Sequence, residues 1–330
     1  MRHQFLPLLL AFALAAGCGS AGAATGPHGV RDVSLQLDWY PNPDHVGLYM
    51  AIDRGFFAHE GLQVTPHQPT DVSDPIKYVA AGRTDVGISY EPELFFAQQQ
   101  HAPVVAVATI VPRALNSIIA RGGEGIATPA DLRGKTIGVD GSDSTNAYLD
   151  TVLQHAGLDP QSDVHRVTVG FNLVPALLAH KVDAVIGVYR NIEGAQLAAR
   201  GIEPVVFPVD RYGVPEYDEL VVVANSQRLH DDARYRDTVR RFVQGLAAGT
   251  AYAKQHPKTA LAVMQRHASR DYHDALALSV RETLPLLDVR APDAAAWTRF
   301  GLWMQAQSLL HSPPDGAALV APSYHSSSGA

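Results

Sequence analysis

Leu35-Gln36-Leu37-Asp38-Trp39-Tyr40-Pro41-Asn42-Pro43-Asp44-His45-Val46-Gly47-Leu48-Tyr49-Met50-Ala51 decides how this 330-residue chain reads. Residues 33–37 alternate apolar and polar side chains, the period of a strand. Leu48, Ala51, Ile52 and Phe56 then recur at helical spacing. Between the two lies a short polar link. Asn42 suits a helix N-cap, Pro43 the first helical position, and Asp44 the positive end of the helix dipole. A strand that feeds a helix N-terminus through such a loop is where open α/β sheets hold small ligands. The loop offers a carboxylate (Asp38), an aromatic face (Trp39), an amide (Asn42) and an imidazole (His45). The same residues also suit a plain connection with a buried Trp.

Outward from this stretch, strand-like and helical segments alternate. Strands are expected over 62–66, 86–89 and 104–111, with helices over 46–57, 75–81 and 93–99. A second round follows a hinge-like break at Gly122-Gly123-Glu124-Gly125. It has strands over 136–139, 164–169, 184–188 and 205–209, and helices reaching to 155, over 173–179 and over 192–200. Such alternation implies mostly parallel sheets flanked by helices. After a further strand over 219–224 the chain turns helical, over 235–255, 259–267, 274–284 and 294–310.

The two rounds echo each other. Ala80-Ala81-Gly82-Arg83-Thr84-Asp85-Val86-Gly87-Ile88 aligns with Leu178-Ala179-His180-Lys181-Val182-Asp183-Ala184-Val185-Ile186. Each is a helix end, a basic residue, an Asp and a buried strand. The chain therefore reads as two similar α/β lobes. Lobe 1 covers 32–120 with 221–310 returning to it, lobe 2 covers 121–220, and 311–330 is a Pro/Ser/Gly-rich tail expected to be disordered. Each echoed strand runs into possible ligand contacts, Ser89-Tyr90-Glu91 in the first and Tyr189, Asn191 and Glu193 in the second. A site at the carboxyl ends of the strands, between the lobes, would collect both sets. The loop Gly138 to Thr145 reads equally as a holder for a polar ligand arm and as a turn capped by Ser144 or Asp143.

Composition narrows the function. A net charge of −7 argues against nucleic acid or an anionic membrane surface as the main partner. With 46% hydrophobic and 18% charged residues, the chain has the makings of a globular core. Residues 1–17 read as a signal peptide: Arg2, an apolar run from Phe5 to Ala16, then Gly17 before Cys18. Small residues before the only Cys point to lipidation of Cys18, with cleavage around Ala21 to Ala24 as the alternative. Loss of Arg2 with the leader would take the charge from −7 to −8. Residues 18–31 then form a flexible tether. A single Cys excludes an intrachain disulfide and any Cys-rich metal site. The fifteen His show no pair at i, i+4 beside a third ligand, so no metal is expected. There is no Gly-x-Ser-x-Gly elbow, no phosphate loop ending Gly-Lys-Ser/Thr, and no His-Glu-x-x-His.

Leu37-Asp38-Trp39, Pro41-Asn42, His45 and Gly47-Leu48-Tyr49 with Ala51 resemble the opening signature of the NMT1/THI5-like family. The resemblance continues in Leu115-Asn116-Ser117-Ile118-Ile119, in Gly170-Phe171-Asn172-Leu173-Val174-Pro175-Ala176-Leu177-Leu178, and through Asp183 to Tyr189 and Glu193. It spans about 33–310. Tyr40 departs from the pattern, where a small hydroxyl residue is expected. The family contains the pyrimidine-binding component of a thiamin-precursor ABC importer and the yeast-type enzyme that makes the thiamin pyrimidine. The resemblance implies an α/β, two-lobed periplasmic-binding-protein-like fold with the ligand in the interlobe cleft. It implies a lipid-anchored, monomeric periplasmic protein that hands a small heteroaromatic ligand to an ABC permease of the inner membrane, with no cofactor and no catalysis.

By that resemblance Tyr189 and Glu193 bind the ring, with Trp39 as a second aromatic face. Asp38, Asn42, His45, Tyr90, Glu91 and Asn116 complete the expected ligand contacts. In the resembling synthase the His matching His45 is consumed as a substrate, a Cys-rich motif handles iron, and a lysine serves pyridoxal phosphate. This chain has no second Cys and no Lys in its first loop, so a binding protein is the expected role. Related binding proteins take riboflavin or sulfonates, and an exported sensor would look the same in sequence.

Overall fold

The computed structural model describes residues 29–71, 73–170 and 172–321; the expected leader, Cys18 and most of the tether lie outside the described residues. Among the described residues, ten strands build two sheets. One contains β1 (Arg31–Gln36), β2 (Leu62–His67), β3 (Val86–Ser89), β4 (Val104–Val111) and β10 (Leu220–Asn225), in the order β2-β1-β3-β10-β4. The other contains β5 (Asn116–Arg121), β6 (Thr136–Val139), β7 (His165–Thr168), β8 (Ala184–Tyr189) and β9 (Pro204–Pro208), in the order β7-β6-β8-β5-β9. Each sheet is three parallel strands plus one antiparallel strand that admits a fifth. The chain crosses between the sheets at 112–115 and returns over 209–219.

The repeated Asp has a structural cause. Asp85 N donates to Ser34 O at 3.0 Å, and Ser34 N donates to Asp85 Oδ2 at 3.0 Å. In the second sheet Asp183 N donates to Thr136 O at 2.8 Å, and Thr136 N donates to Asp183 Oδ2 at 2.7 Å. Each Asp satisfies the amide just before its strand pair begins, ahead of Leu35–Val86 and of Ile137–Ala184, and so registers β3 on β1 and β8 on β6.

The helix Val46–Asp53 lies across the long helix Ala233–Gln255, and both approach closely. A Cβ on Gly249 would stand 2.6 Å from Gly47 O and from Ala51 Cβ, so only Gly fits there. This crossing anchors the first helix and with it the loop that precedes it. The expected single helix over 46–57 is two, Val46–Asp53 and Phe56–His59, because Gly55 takes φ +76 and breaks the run.

Three boundaries differ from the sequence reading. Asn116–Arg121 is a fully buried strand of the second sheet, so that lobe begins by 116 and not at 121. Gly122 to Gly125 is a turn, with Gly122 N on Glu203 O at 2.7 Å; the interlobe crossings lie elsewhere, at 112–115 and 209–219. Residues 311–321, expected to be disordered, are held. His311 N and Ser312 N both donate to Gln99 Oε1 at 3.0 Å, Leu319 is buried, and Val320 bridges in parallel to Ala106. Residues 322–330 lie outside the described residues.

Candidate functional site

The loop after β1 is wired from its own side chains. Asn42 Oδ1 accepts from Asp44 N at 2.8 Å, and Asn42 N donates to His45 Nδ1 at 3.2 Å, a reciprocal cap on the turn Pro43–His45. Because His45 Nδ1 accepts, the network assigns the ring proton to Nε2, which donates to Asp38 Oδ1 at 2.8 Å. Tyr90 OH, at the end of β3, donates to Asp38 Oδ2 at 2.8 Å. Asp38, Asn42 and His45 are all buried. His45, expected among the ligand contacts, thus has both ring nitrogens engaged within the loop. Trp39 is only part-buried; its Nε1 donates to Tyr272 OH at 3.0 Å, and its ring meets Tyr40 edge-on at 6.2 Å. Tyr40 itself is 51% exposed, so the departure from the family pattern falls on the loop's outer side.

The second set sits at the end of β8. Tyr189 N donates to Glu193 Oε2 at 2.7 Å, and Tyr189 OH donates to Glu219 Oε1 at 3.1 Å. Glu193 opens the helix Glu193–Ala199. Burial pushes its carboxyl up to about 7 against the pull of the Tyr189 amide, and the nearby Asp44 pushes the same way. The hydroxyls of Tyr189 and Tyr90 are also raised, first by burial, then by Glu219 for Tyr189 and by Asp38 for Tyr90. Glu193 and Asp44 both raise the Tyr272 hydroxyl, after burial. Asp38 and Tyr90 from the first lobe are therefore near Tyr189 of the second, and Tyr272, which holds Trp39, is near Glu193. Two aromatic faces, two carboxyls and two phenols suit a flat, polar-edged ring.

Other expected contacts have work inside the fold. Glu91 is 1% exposed; its Oε2 accepts from Asp218 N at 2.6 Å and its carboxyl is raised well above the usual range by burial, then by Asp218. Asn116 Oδ1 accepts from Gly187 N at 3.3 Å, and its own N donates to Glu219. In the 138–145 loop Asp140 accepts from Ser142 N, Ser142 Oγ and Thr145 Oγ1 at 2.8–3.0 Å. The helix cap is Ser142, not Ser144 or Asp143, because Ser142 Oγ takes the Thr145 amide. This is the capped turn, with its hydroxyls already committed. Among the described residues no three His, Cys, Asp or Glu side chains gather as a metal site.

Sequence reasoning missed Glu219 and Tyr272. Glu219 carries a faint signal, an acid directly before the apolar run Leu220-Val221-Val222-Val223. Tyr272 carries none. A separate groove of about 1150 Å3 borders both crossings, lined by Arg113, Arg190, Arg211, Lys254, Asp210 and Glu216 among others. None of the nine expected ligand residues lines it, and its mixed charges offer no face for a flat ring.

Two sheets of this order joined by two crossings define the two-lobed fold of periplasmic binding proteins. The alkanesulfonate-binding protein SsuA from Xanthomonas axonopodis pv. citri superposes with a TM-score of 0.70, at 16% identity, over 87% of this chain and 97% of that one. The chain belongs to the NMT1/THI5 like family, whose model matches residues 42–260. A protein of Haemophilus influenzae named for thiamine biosynthesis is 35% identical over 84% of this chain and 88% of its own length. The formylaminopyrimidine-binding protein of Halalkalibacterium halodurans is 33% identical over 94% of this chain and 95% of its own. The chain is also similar to an enzyme by name: a 4-amino-5-hydroxymethyl-2-methylpyrimidine phosphate synthase of Legionella pneumophila is 26% identical over 69% of this chain and 71% of its own.

Proposed function

We propose that the protein is the solute-binding component of an ABC importer, exported to the periplasm and anchored through a lipid on Cys18. Its ligand is a thiamin pyrimidine precursor of the formylaminopyrimidine or hydroxymethylpyrimidine kind, which it hands unchanged to the permease. The reading is supported by the surroundings of Tyr189 and Glu193 at the end of β8: Asp38 and Tyr90 act on Tyr189, Glu193 acts on Tyr272, whose hydroxyl holds Trp39, and burial pushes the Glu193 carboxyl up to about 7. A carboxyl with that proton affinity is matched to a weakly basic aminopyrimidine nitrogen, so the proton can be shared along a charge-assisted hydrogen bond. Trp39 and Tyr189 supply faces for the ring, and Asp38, oriented by His45 and Tyr90, supplies a further acceptor. The relative named for formylaminopyrimidine binding, similar along nearly the whole chain, supports this choice of ligand.

Turnover is not part of the proposal. The only Cys is Cys18, and the His45 imidazole is enclosed by Asn42 and Asp38. Native mass spectrometry of the protein drawn from its own cell envelope tests the reading. A retained mass equal to an aminopyrimidine supports it; a flavin or a sulfonate in its place contradicts it.

A further inference from the structure

Asn191 follows β8 in the second lobe, yet its side chain is gripped by the first. Its Nδ2 donates to Asp44 Oδ1 at 2.7 Å and lies 2.8 Å from Thr283 Oγ1, and its backbone oxygen accepts from Ser279 Oγ at 2.6 Å. Asp44 is 3% exposed and Asn191 1%. Within this contact two atoms have no hydrogen-bond partner: Asp44 Oδ2 and Asn191 Oδ1. They belong to the same two groups that share the 2.7 Å bond, a carboxyl and a carboxamide side by side. Both are acceptors as drawn, and a buried acceptor without a donor is costly. One proton on Asp44 Oδ2 would supply a donor where the contact has none, and an acid O–H to the amide oxygen would pair with the amide N–H to the acid oxygen already present at 2.7 Å.

We propose that Asp44 and Asn191 form a carboxylic acid–carboxamide latch between the lobes, so that lobe closure takes up one proton from solvent and opening returns it. The titratable groups facing Asp44 are Asp38 and His45 in its own loop, Glu193 from the second lobe, Glu219 from the returning crossover, and Tyr272 from the turn Arg270–Ala275. Burial, the largest influence, holds the Asp44 carboxyl up at about 7; His45 and the Asn191 bond oppose it, and Asp38 and Glu219 reinforce it. Opening exposes Asp44 and returns it to the ordinary range near 3.8. A group whose proton affinity rises on closure favours the closed state fully below its ordinary value and loses that effect as pH rises through about 7. Closure, and any affinity that depends on it, should fall roughly thirty-fold from pH 5.5 to 8.5 through this one group.

The latch rests on the proposed binding of a small ligand between the two lobes, but not on the identity of that ligand. The test counts protons. Calorimetry with formylaminopyrimidine at pH 5.5, in buffers of different ionisation heat, should register close to one proton fewer taken up by Asp44→Asn than by the unsubstituted protein. The substituted amide can still pair with Asn191, so Asp44→Asn should bind at pH 8.5, while its affinity loses the thirty-fold share of the pH dependence. Equal proton counts overturn the latch. If formylaminopyrimidine binds neither protein, the ligand reading fails, and the spacing of the lobes in the ligand-free chain, read between paired spin labels from pH 5.5 to 8.5, decides this one. A closed fraction that grows as pH falls, and no longer does so in Asp44→Asn, upholds the latch; a closed fraction with the same pH dependence in both proteins overturns it.

Discussion

Glu219 Oε1 accepts from Tyr189 OH at 3.1 Å, and this bond joins the proposed ligand face to the hinge. The other oxygen, Oε2, accepts from Leu115 N at 2.6 Å, Asn116 N at 3.0 Å and Tyr217 OH at 2.9 Å. Leu115 and Asn116 end the outward crossing, and Tyr217 and Glu219 end the return. One buried carboxyl thus ties both crossings together and sets the phenol that would stack on a ligand. Its carboxyl is raised by burial, which these four donors oppose.

Removing that carboxyl should separate its two roles. Glu219→Ala strands two backbone amides and two phenols, and each lost bond to a charged group costs about 1.5–3 kcal/mol. A large drop in melting temperature is expected. Glu219→Gln keeps one oxygen for the two amides and offers an N–H to the Tyr189 oxygen. It should melt closer to the unsubstituted protein yet bind its ligand more weakly, because Tyr189 is re-aimed. Equal melting temperatures for Ala and Gln would contradict the hinge role.

The crossing of the first helix on the long helix gives a test of scaffold without touching the site. Gly249→Ala places a methyl 2.6 Å from a backbone oxygen and from Ala51 Cβ. Overpacking of this kind costs about 1–3 kcal/mol. Chemical denaturation should show that loss, while the equally helical but open Ala251 position tolerates substitution by Ser.

Stability should also follow pH. Burial pushes Glu93 up to about 7, with Asp140 and Asp71 adding to it, and Asp44 and Glu193 stand near the same value. For acids raised in the folded state, stability is fullest below their ordinary range and declines as pH rises through about 7. The melting temperature should therefore be higher at pH 5.5 than at pH 8. Glu93→Gln should narrow that difference by raising the value at pH 8. A melting temperature that climbs toward pH 8 would contradict the burial of these carboxyls.

The elements that sequence resolves are those held by local chemistry. Asn42, Pro43 and Asp44 form a cap within three residues, as their sequence suggests, but in the structure it closes the turn Pro43–His45 that leads into the helix Val46–Asp53 and not that helix itself. The repeated Asp85 and Asp183 mark equivalent strand entries, because each bonds the neighbouring strand one residue before their pairing begins, through the same pair of contacts. What escaped is long-range. β5 pairs antiparallel with β8 and β9, whose residues lie some sixty to ninety positions on, so nothing near Asn116 announces its partners. Tyr272 meets Trp39 across 233 positions, and Glu219 meets Leu115 across 104. The reading of 311–321 failed for another reason: a Pro/Ser/Gly-rich composition describes the segment, but Gln99 supplies the acceptor that holds its start.

Trp39 and Glu193 should fail in different ways. Trp39→Ala removes a ring face and the partner of Tyr272, so affinity should drop at every pH alike. Glu193→Gln keeps size and loses the charge, so its effect should depend on pH, as that of a proton-sharing carboxyl must.

The central claim is that this two-lobed site reads an aminopyrimidine. Calorimetry of the leader-free protein with formylaminopyrimidine, riboflavin and an alkanesulfonate, repeated on Glu193→Gln, tests it most directly. The account predicts a clear preference for the pyrimidine and a loss of roughly ten- to a hundred-fold in Glu193→Gln, the worth of about 1.5–3 kcal/mol for a charged hydrogen bond. Preference for riboflavin or the sulfonate, or a pyrimidine affinity unchanged in Glu193→Gln, would contradict it.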